Sequence, residues 1–288
     1  RYKGAKTVAV TPDYSEVAKL SDIWMKPKQG TDAAVAMAMG HVILKEFYFP
    51  DSGERSAYFD DYVRRYTDMP MLVMLKEHKL PNGDMILVPD RYVRASDFNG
   101  KLGQANNPEW KTVAFDDSGK VVLPNGAIGF RWGADGRADE GQWNLEAKEA
   151  RHGANVKLKL SLLEGEAPSS ETARVGFPYF GGIVSEHFPN NAQTDVLVRT
   201  VPVQRIALGK AGEKRDALVA TVFDLQVANY GIARGLPGEL AAKDFNDDTP
   251  YTPAWQECIT GTPREQLITV ARQFAENAHK TKGKSMVI

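Results

Sequence analysis

Two turns near the start of the chain carry polar side chains where a nucleotide can be bound. The turns span residues 11–15 and 30–32, and each follows a short apolar run and precedes a helical pattern. Their hydroxyl and carboxylate groups can hydrogen-bond ribose hydroxyls or the edge of a purine. The candidate binding residues are Thr11, Pro12, Asp13, Tyr14, Ser15, Gly30, Thr31 and Asp32.

The surrounding elements must bring these two turns together. Residues 7–10 and 23–25 are predicted strands, residues 17–22 carry a short helical stripe, and residues 33–47 form a long apolar helix. Consecutive βα units with right-handed crossovers place their turns at one edge of a parallel sheet, where ligands bind in the crevice. Helix N-termini there also attract phosphate.

Ordinary helix capping is the alternative explanation of the same residues. Asp13 or Ser15 can cap the first helix, and Thr31 or Asp32 can cap the second. Capping requires no ligand, so the residue types alone leave both interpretations open.

Composition narrows the class of protein. The 288 residues are 42% hydrophobic and 25% charged, and the net charge of −1 gives no reason to expect nucleic-acid binding. The single cysteine, Cys258, cannot supply a disulfide within the chain or the ligands of an iron–sulfur cluster. Its apolar helical setting predicts a buried structural thiol.

Six segments, in order along the whole chain, carry a family pattern. The first is the strand–turn–helix pattern of residues 6–44, in which Gly-Thr-Asp opens an alanine-rich helix. The others are DYVRRYTDMPMLV (61–73), NNPEWKTVAF (106–115), GFRWG (129–133), VGFPYFGG (175–182) and YTPAWQECITG (251–261). The first segment resembles the molybdopterin guanine dinucleotide oxidoreductases, and the other five are similar, within that family, to the catalytic subunits of membrane-bound respiratory nitrate reductases.

The resemblance implies a function and its cofactors. It implies reduction of nitrate to nitrite with a Mo-bis(molybdopterin guanine dinucleotide) cofactor, one guanosine of which is held by the turns at 11–15 and 30–32. It also implies a 4Fe-4S cluster whose ligands, like the molybdenum ligand, lie outside this chain. The implied partners are an iron–sulfur electron-transfer subunit and a membrane quinol-oxidising subunit, which hold the enzyme at the cytoplasmic face of the cell membrane.

The resemblance also implies the fold, an α/β protein with a Rossmann-like parallel sheet core of the molybdopterin oxidoreductase type and a large strand-rich insertion. Residues 1–74 and 250–288 are predicted to form the two parts of the α/β domain, and residues 75–249 the insertion. Within the insertion, alternation over 156–162 predicts a half-buried strand. Residues 285–288 are predicted to form a strand beside residues 7–10, and the missing start methionine suggests an internal fragment.

Two other functions compete with this interpretation. An NAD(P)-binding oxidoreductase is disfavoured because residues 10–15 contain no G-x-G-x-x-G motif. A non-catalytic α/β interaction module remains open. No catalytic motif and no metal-ligand spacing occurs in the sequence, so this chain by itself is expected to have no turnover.

Overall fold

The computed structural model describes residues 4–50, 55–80, 82–98, 102, 111–124, 147–179, 196–209 and 215–288. The GFRWG motif at 129–133 lies outside these residues, as do parts of the motifs at 106–115 and 175–182. The elements in chain order are β1 Val8–Val10, α1 Glu16–Leu20, β2 Ile23–Met25, α2 Asp32–Ile43 with a π-helical turn Leu44–Tyr48, α3 Ala57–Tyr66, β3 Leu72–Lys79, β4 Met85–Tyr92, a 3₁₀ turn Ala95–Phe98, β5 Ala114–Phe115, β6 Val121–Val122, β7 Thr172–Pro178, β8 Val196–Pro202, β9 Gln204–Leu208, β10 Arg215–Thr221, α4 Val222–Asn229, α5 Pro253–Thr260 and α6 Arg264–Thr281.

The chain divides into two compact units. Unit 1 comprises Arg1–Phe59, Pro178–Leu197 and Val227–Ile288, and unit 2 comprises Asp60–Phe177 and Val198–Gln226. The division into domains at 74/75 and 249/250 stays a prediction and is separate from this division into compact units.

Unit 1 contains a parallel pair of strands, as the βα pattern predicts. Val8, Ala9 and Val10 of β1 pair with Ile23, Trp24 and Met25 of β2. Met25 packs into a core that α2 and α6 complete; its other buried members are Val35, Ala38, Val42, Leu267, Ile268, Val270 and Ala271.

The ends of α5 follow local sequence rules. The Thr252 side chain accepts a hydrogen bond from the Trp255 amide and Pro253 occupies the first turn, where its missing N–H costs nothing. Gly261 then ends the helix with φ of 74°, a left-handed conformation that glycine adopts without strain.

Unit 2 is built on a six-stranded sheet of order β8-β7-β4-β3-β10-β9. The pairs β3–β4, β3–β10 and β9–β10 are antiparallel, whereas β4 and β7 are parallel, so the sheet is mixed. Strands β5 and β6 form a separate antiparallel pair. The fold is therefore mixed α/β, as predicted at that level.

The predicted strand at 156–162 is wrong. The segment makes only isolated bridges, Asp116 to Leu158 and Lys148 to Asn155 at its border. Lys159 and Ser161, predicted to face solvent, are buried. The Lys159 ammonium donates to the Ala167 carbonyl at 2.7 Å, and this hydrogen bond replaces hydration of the buried ammonium. The alternation of polar and apolar residues in this segment therefore does not indicate which side chains are buried.

The predicted strand at 285–288 is also wrong. These residues have no regular structure, and the apolar side chains of Met286, Val287 and Ile288 are exposed. An extended segment becomes a strand only when a neighbour pairs with its backbone, and β1 pairs only with β2 in the described part of the chain.

Candidate functional site

The first predicted turn is fixed to the neighbouring strand. The Thr11 amide donates to the Met25 carbonyl at 3.1 Å, which extends the β1–β2 pairing by one residue. The Thr11 carbonyl accepts a hydrogen bond from Trp24 Nε1 at 2.9 Å. Both backbone polar groups of Thr11 are thus held by β2, and the turn that follows starts from a defined position.

The second turn is held by the end of α5. The Lys28 amide donates to the Thr260 carbonyl at 2.8 Å, and the Thr31 hydroxyl donates to the Lys28 carbonyl at 2.6 Å. Gly30 has φ of 75°, which requires glycine, and no atom lies within 4 Å of the position a β-carbon would take. The backbone of this turn is therefore open to the approach of another molecule.

The parallel pairing brings the two turns to one edge. Val10 and Met25, the last residues of β1 and β2, are direct partners, so residues 11–15 and 26–32 leave the strands at the same end. The prediction that the turns share an edge of parallel strands is confirmed for this pair.

Helix capping does not account for the polar residues in these turns. Ser15 and Thr31 occupy the N-cap positions of α1 and α2, but neither side chain makes a capping hydrogen bond. Asp13 and Asp32 are exposed, and within the described part of the chain no group donates to either carboxylate. The side chains of Asp13, Ser15, Thr31 and Asp32 therefore do not cap the helices beside them.

Sequence reasoning missed a cluster around Trp24. The Tyr14 ring lies 5.1 Å from the Trp24 ring, and Lys26 Nζ lies 5.7 Å from it. Gln266 of α6 donates to the Trp24 carbonyl at 3.0 Å. The available signal was a large aromatic residue at the middle of a three-residue strand, beside a Lys-Pro-Lys sequence that adds two exposed cations, Lys26 and Lys28.

Two other residues singled out in the sequence have structural surroundings. His41, predicted to be a core histidine, is 2% exposed, and its Nδ1 lies 2.7 Å from the Tyr230 carbonyl oxygen. The prediction of a buried Cys258 is wrong, because the thiol is exposed. The apolar neighbours of Cys258 face the interior on other sides of α5, and a single helix position cannot be assigned a face from composition alone.

The described ranges hold no group of three or more His, Cys, Asp or Glu side chains arranged to bind a metal ion. None of their helices is both long enough and apolar enough to cross a bilayer.

Comparison with known proteins gives close relatives over the whole chain. The respiratory nitrate reductase 1 alpha chain of Escherichia coli (strain K12) is 54% identical over 288 residues, which are 100% of this chain and 22% of that protein. The nitrate reductase alpha chain of Bacillus subtilis (strain 168) is 39% identical over 289 residues, covering 100% of this chain and 21% of the relative. The respiratory nitrate reductase alpha chain of Bradyrhizobium sp is 41% identical over 283 residues, covering 98% and 25%.

No protein-family model matches the chain. The similarity rests on these full-length relatives, and the chain spans only about a fifth of the length of those from E. coli and B. subtilis. The alignment with the E. coli chain covers every residue, and so includes both predicted turns and both units. The chain is therefore homologous, over its whole length, to one part of the alpha chains of respiratory nitrate reductases.

Proposed function

We propose that this chain is part of the molybdenum-bearing catalytic subunit of a respiratory nitrate reductase, and that its turns at 11–15 and 30–32 hold one guanosine of a Mo-bis(molybdopterin guanine dinucleotide) cofactor. The observation that carries the proposal is the pair of exposed carboxylates, Asp13 and Asp32, at one edge of two parallel strands. The similarity to nitrate reductase alpha chains supplies the ligand class.

The chemistry of these side chains fits a guanosine. A carboxylate can accept two hydrogen bonds from the N1–H and N2–H groups of one guanine edge, and such charge-assisted bonds are strong. Asp32 is the better candidate for this role, since it stands at the positive end of the twelve-residue helix α2. Thr11, Ser15 and Thr31 offer hydroxyls to the ribose, while Pro12, Tyr14 and Gly30 would contribute backbone contacts.

The surroundings also fit the phosphates of such a cofactor. Lys26 and Lys28 are exposed between β2 and the second turn and bring positive charge to the edge where α2 begins. No side chain caps the first turn of α2, and its Ala34 amide donates to the Thr31 carbonyl at 3.0 Å, which leaves the amides of Asp32 and Ala33 for a bound anion.

The finer fold belongs to the same proposal. We infer that β1 and β2 are part of a Rossmann-like parallel core of the molybdopterin oxidoreductase type, formed by residues 1–74 and 250–288, with 75–249 as a strand-rich insertion. The parallel register of β1 and β2 and the packing of α2 and α6 around Met25 support it. The antiparallel pairs at β3–β4, β3–β10 and β9–β10 support the insertion.

The whole enzyme would reduce nitrate to nitrite. Bound molybdenum would supply the redox chemistry, with electrons arriving through a 4Fe-4S cluster whose ligands lie outside this chain. An iron–sulfur subunit and a membrane quinol-oxidising subunit would deliver those electrons and hold the complex at the cytoplasmic face of the cell membrane. This chain's own residues would bind and orient the cofactor rather than touch nitrate.

The test is Asp32→Ala in the complete enzyme, with molybdenum and guanosine nucleotide measured per alpha chain. Losing a charge-assisted pair of hydrogen bonds should weaken cofactor binding by roughly 2–3 kcal/mol, so retention should fall. The melting temperature of the protein freed of cofactor should change little, because Asp32 makes no capping hydrogen bond and its interaction with the helix dipole is exposed to solvent.

Glu265→Ala is the matched control. Glu265 is also an exposed acid in the first turn of a helix of unit 1, α6, and its removal should leave cofactor content normal. Full molybdenum and nucleotide content in Asp32→Ala would refute the assignment of Asp32. A lowered melting temperature with normal content would instead make Asp32 a structural residue.

A further inference from the structure

We infer that Trp24 is the positioning residue of the guanosine site, fixing the first turn on β2, the strand that leads to the second turn. This rests on the proposed function and adds a residue that the polar pattern of the turns does not reveal. Trp24 lies on β2, and its side chain is contacted by two residues of the first turn and by Lys26, the residue that follows β2.

The contacts to the first turn are of two kinds. Trp24 Nε1 donates to the Thr11 carbonyl at 2.9 Å, which fixes where the turn begins. The Tyr14 ring, in the same turn, packs at 5.1 Å and 58° on the Trp24 ring. Tyr14 is 61% exposed, so the indole is a main support for its ring rather than one of many core contacts. The turn is thus held at its start and again three residues later.

The contact to the segment between β2 and the second turn is electrostatic. Lys26 is the first residue after β2, and its ammonium lies 5.7 Å from the centre of the Trp24 ring, within the range of a cation–π interaction. The same indole therefore touches Thr11, Tyr14 and Lys26. Its own backbone is held from α6 by the hydrogen bond from Gln266 Nε2 at 3.0 Å.

This arrangement explains how unpaired residues can be kept in place. The side chains of Asp13 and Asp32 receive no hydrogen bond within the described ranges, so nothing at their own ends orients them. Their positions depend on the backbone of the two turns, and a binding site loses affinity when its groups must be ordered on binding. Trp24 supplies order to the first turn without occupying the place of a ligand.

The experiment is Trp24→Phe in the complete enzyme, which keeps an aromatic ring but removes the N–H donor to Thr11. The rate at which purified enzyme loses guanosine nucleotide should rise about fivefold, the value of one net hydrogen bond. The matched control is Trp255→Phe in the same unit, which removes the indole donor to the Tyr179 hydroxyl at 3.3 Å. That variant should lose nucleotide at the normal rate even if it melts at a lower temperature.

A second variant covers poor folding of Trp24→Phe. Gln266→Ala removes the hydrogen bond to the Trp24 carbonyl from outside both turns and should raise the nucleotide loss rate by a smaller factor of about two. Faster loss in Trp24→Phe or Gln266→Ala, with a melting temperature no lower than that of Trp255→Phe, supports the inference.

Failure of the inference is distinguishable from failure of the proposed function. Normal nucleotide retention in Trp24→Phe and Gln266→Ala, with reduced retention in Asp32→Ala, overturns the role of Trp24 alone. Equal losses in Trp24→Phe and Trp255→Phe also overturn it, since they indicate general loosening of unit 1. Normal retention in Asp32→Ala as well overturns the guanosine site itself.

Discussion

Asp224 of unit 2 and the acidic residues of the two turns in unit 1 have opposite surroundings. Asp224 of unit 2 is 0% exposed and accepts hydrogen bonds from Ser161 Oγ at 2.6 Å, the Leu162 amide at 2.8 Å and Thr221 Oγ1 at 2.9 Å. Asp13 and Asp32 of unit 1 are exposed and receive none from the described residues.

Two other carboxylates of unit 2, Glu149 and Asp97, also accept several hydrogen bonds, and these bonds lower their pKa values. Burial acts to raise the pKa of Glu149, but hydrogen bonds from the side chain and amide of Arg151 and from the Leu123 amide outweigh it and lower the pKa below its ordinary value. The pKa of Asp97 is lowered in the same way, with Arg91 and the Arg94 amide overcoming the effect of burial.

The difference separates structural acids from candidate binding acids. A carboxylate that its own chain supplies with donors stabilises the fold and has little capacity left for a ligand. A carboxylate at a turn with no donor contributes little to the fold beyond its interaction with a helix dipole, and it is available for binding. Four variants test this separation.

The largest effect is expected for Asp224→Ala. It leaves Ser161, Leu162 and Thr221 without their buried acceptor, which should destabilise the fold by about 3–5 kcal/mol. Thermal unfolding and proteolysis of the complete protein measure it. Asp216→Ala, an exposed acid on β10, is the control and should change stability by less than about 0.5 kcal/mol. Equal effects would show that the network around Asp224 is not structural.

Gly40→Ala tests the body of α2, whose first residue is Asp32. An added β-carbon would lie 2.5 Å from Cε1 and 3.1 Å from Cζ of Tyr230, so the ring must move. The clash should cost about 1–3 kcal/mol, offset in part by the higher helix propensity of alanine, which is worth roughly 0.5–1 kcal/mol. A melting temperature at or above that of the parent protein would mean that α2 is loosely packed against Tyr230 at Gly40.

Glu257→Gln tests an acid at the α5–α6 connection, which also carries the Thr260 carbonyl that holds Lys28. The side-chain hydrogen bond from Arg264 lowers the pKa of Glu257; burial opposes it, and the hydrogen bond from the Arg264 amide adds to the lowering. Because the folded pKa is depressed, the stabilisation is complete above the unfolded pKa and disappears as the pH falls through the folded pKa.

The variant should therefore be less stable than the parent by about 0.5–1 kcal/mol at neutral pH, discounted for partial exposure, and equally stable in acid. Urea unfolding across a pH series measures the difference. Glu276→Gln is the control, since the contact of Glu276 with Lys280 is exposed and 3.9 Å long. A difference that persists unchanged below pH 3 would show that packing, and not charge, is lost.

The smallest effect is expected for Ser15→Ala. Ser15 stands at the N-cap of α1 without a capping bond, so stability should change by less than about 0.5 kcal/mol. Thr252→Ala, which removes a cap that accepts from the Trp255 amide at 3.1 Å, should cost about 1 kcal/mol. Equal losses of stability in thermal unfolding would show that Ser15 caps α1 in solution, and would contradict the absence of a capping hydrogen bond at Ser15.

Local sequence determined the elements of the candidate site. Strands at 7–10 and 23–25, the turns between them and the helix from residue 32 follow from short apolar runs, turn residues and an alanine-rich stretch, all of which act within a few residues. The consecutive βα pattern was enough to predict that both turns share an edge, because strands joined by a helical crossover run parallel and their carboxyl ends meet at one edge of the sheet.

Tertiary structure alone decided which polar groups are used. The sequence made Thr31 and Asp32 equal candidates for a cap. In the structure the Thr31 hydroxyl donates back to the Lys28 carbonyl, and Asp32 lies inside the helix as its first residue, so neither side chain caps α2. The local pattern also gave the wrong burial for Lys159 and Cys258. It did not reveal the contacts of Trp24 with Thr11 and Gln266. Backbone preference is a property of neighbouring residues, whereas burial and hydrogen-bond partners are set by segments that lie up to 242 positions away in this chain.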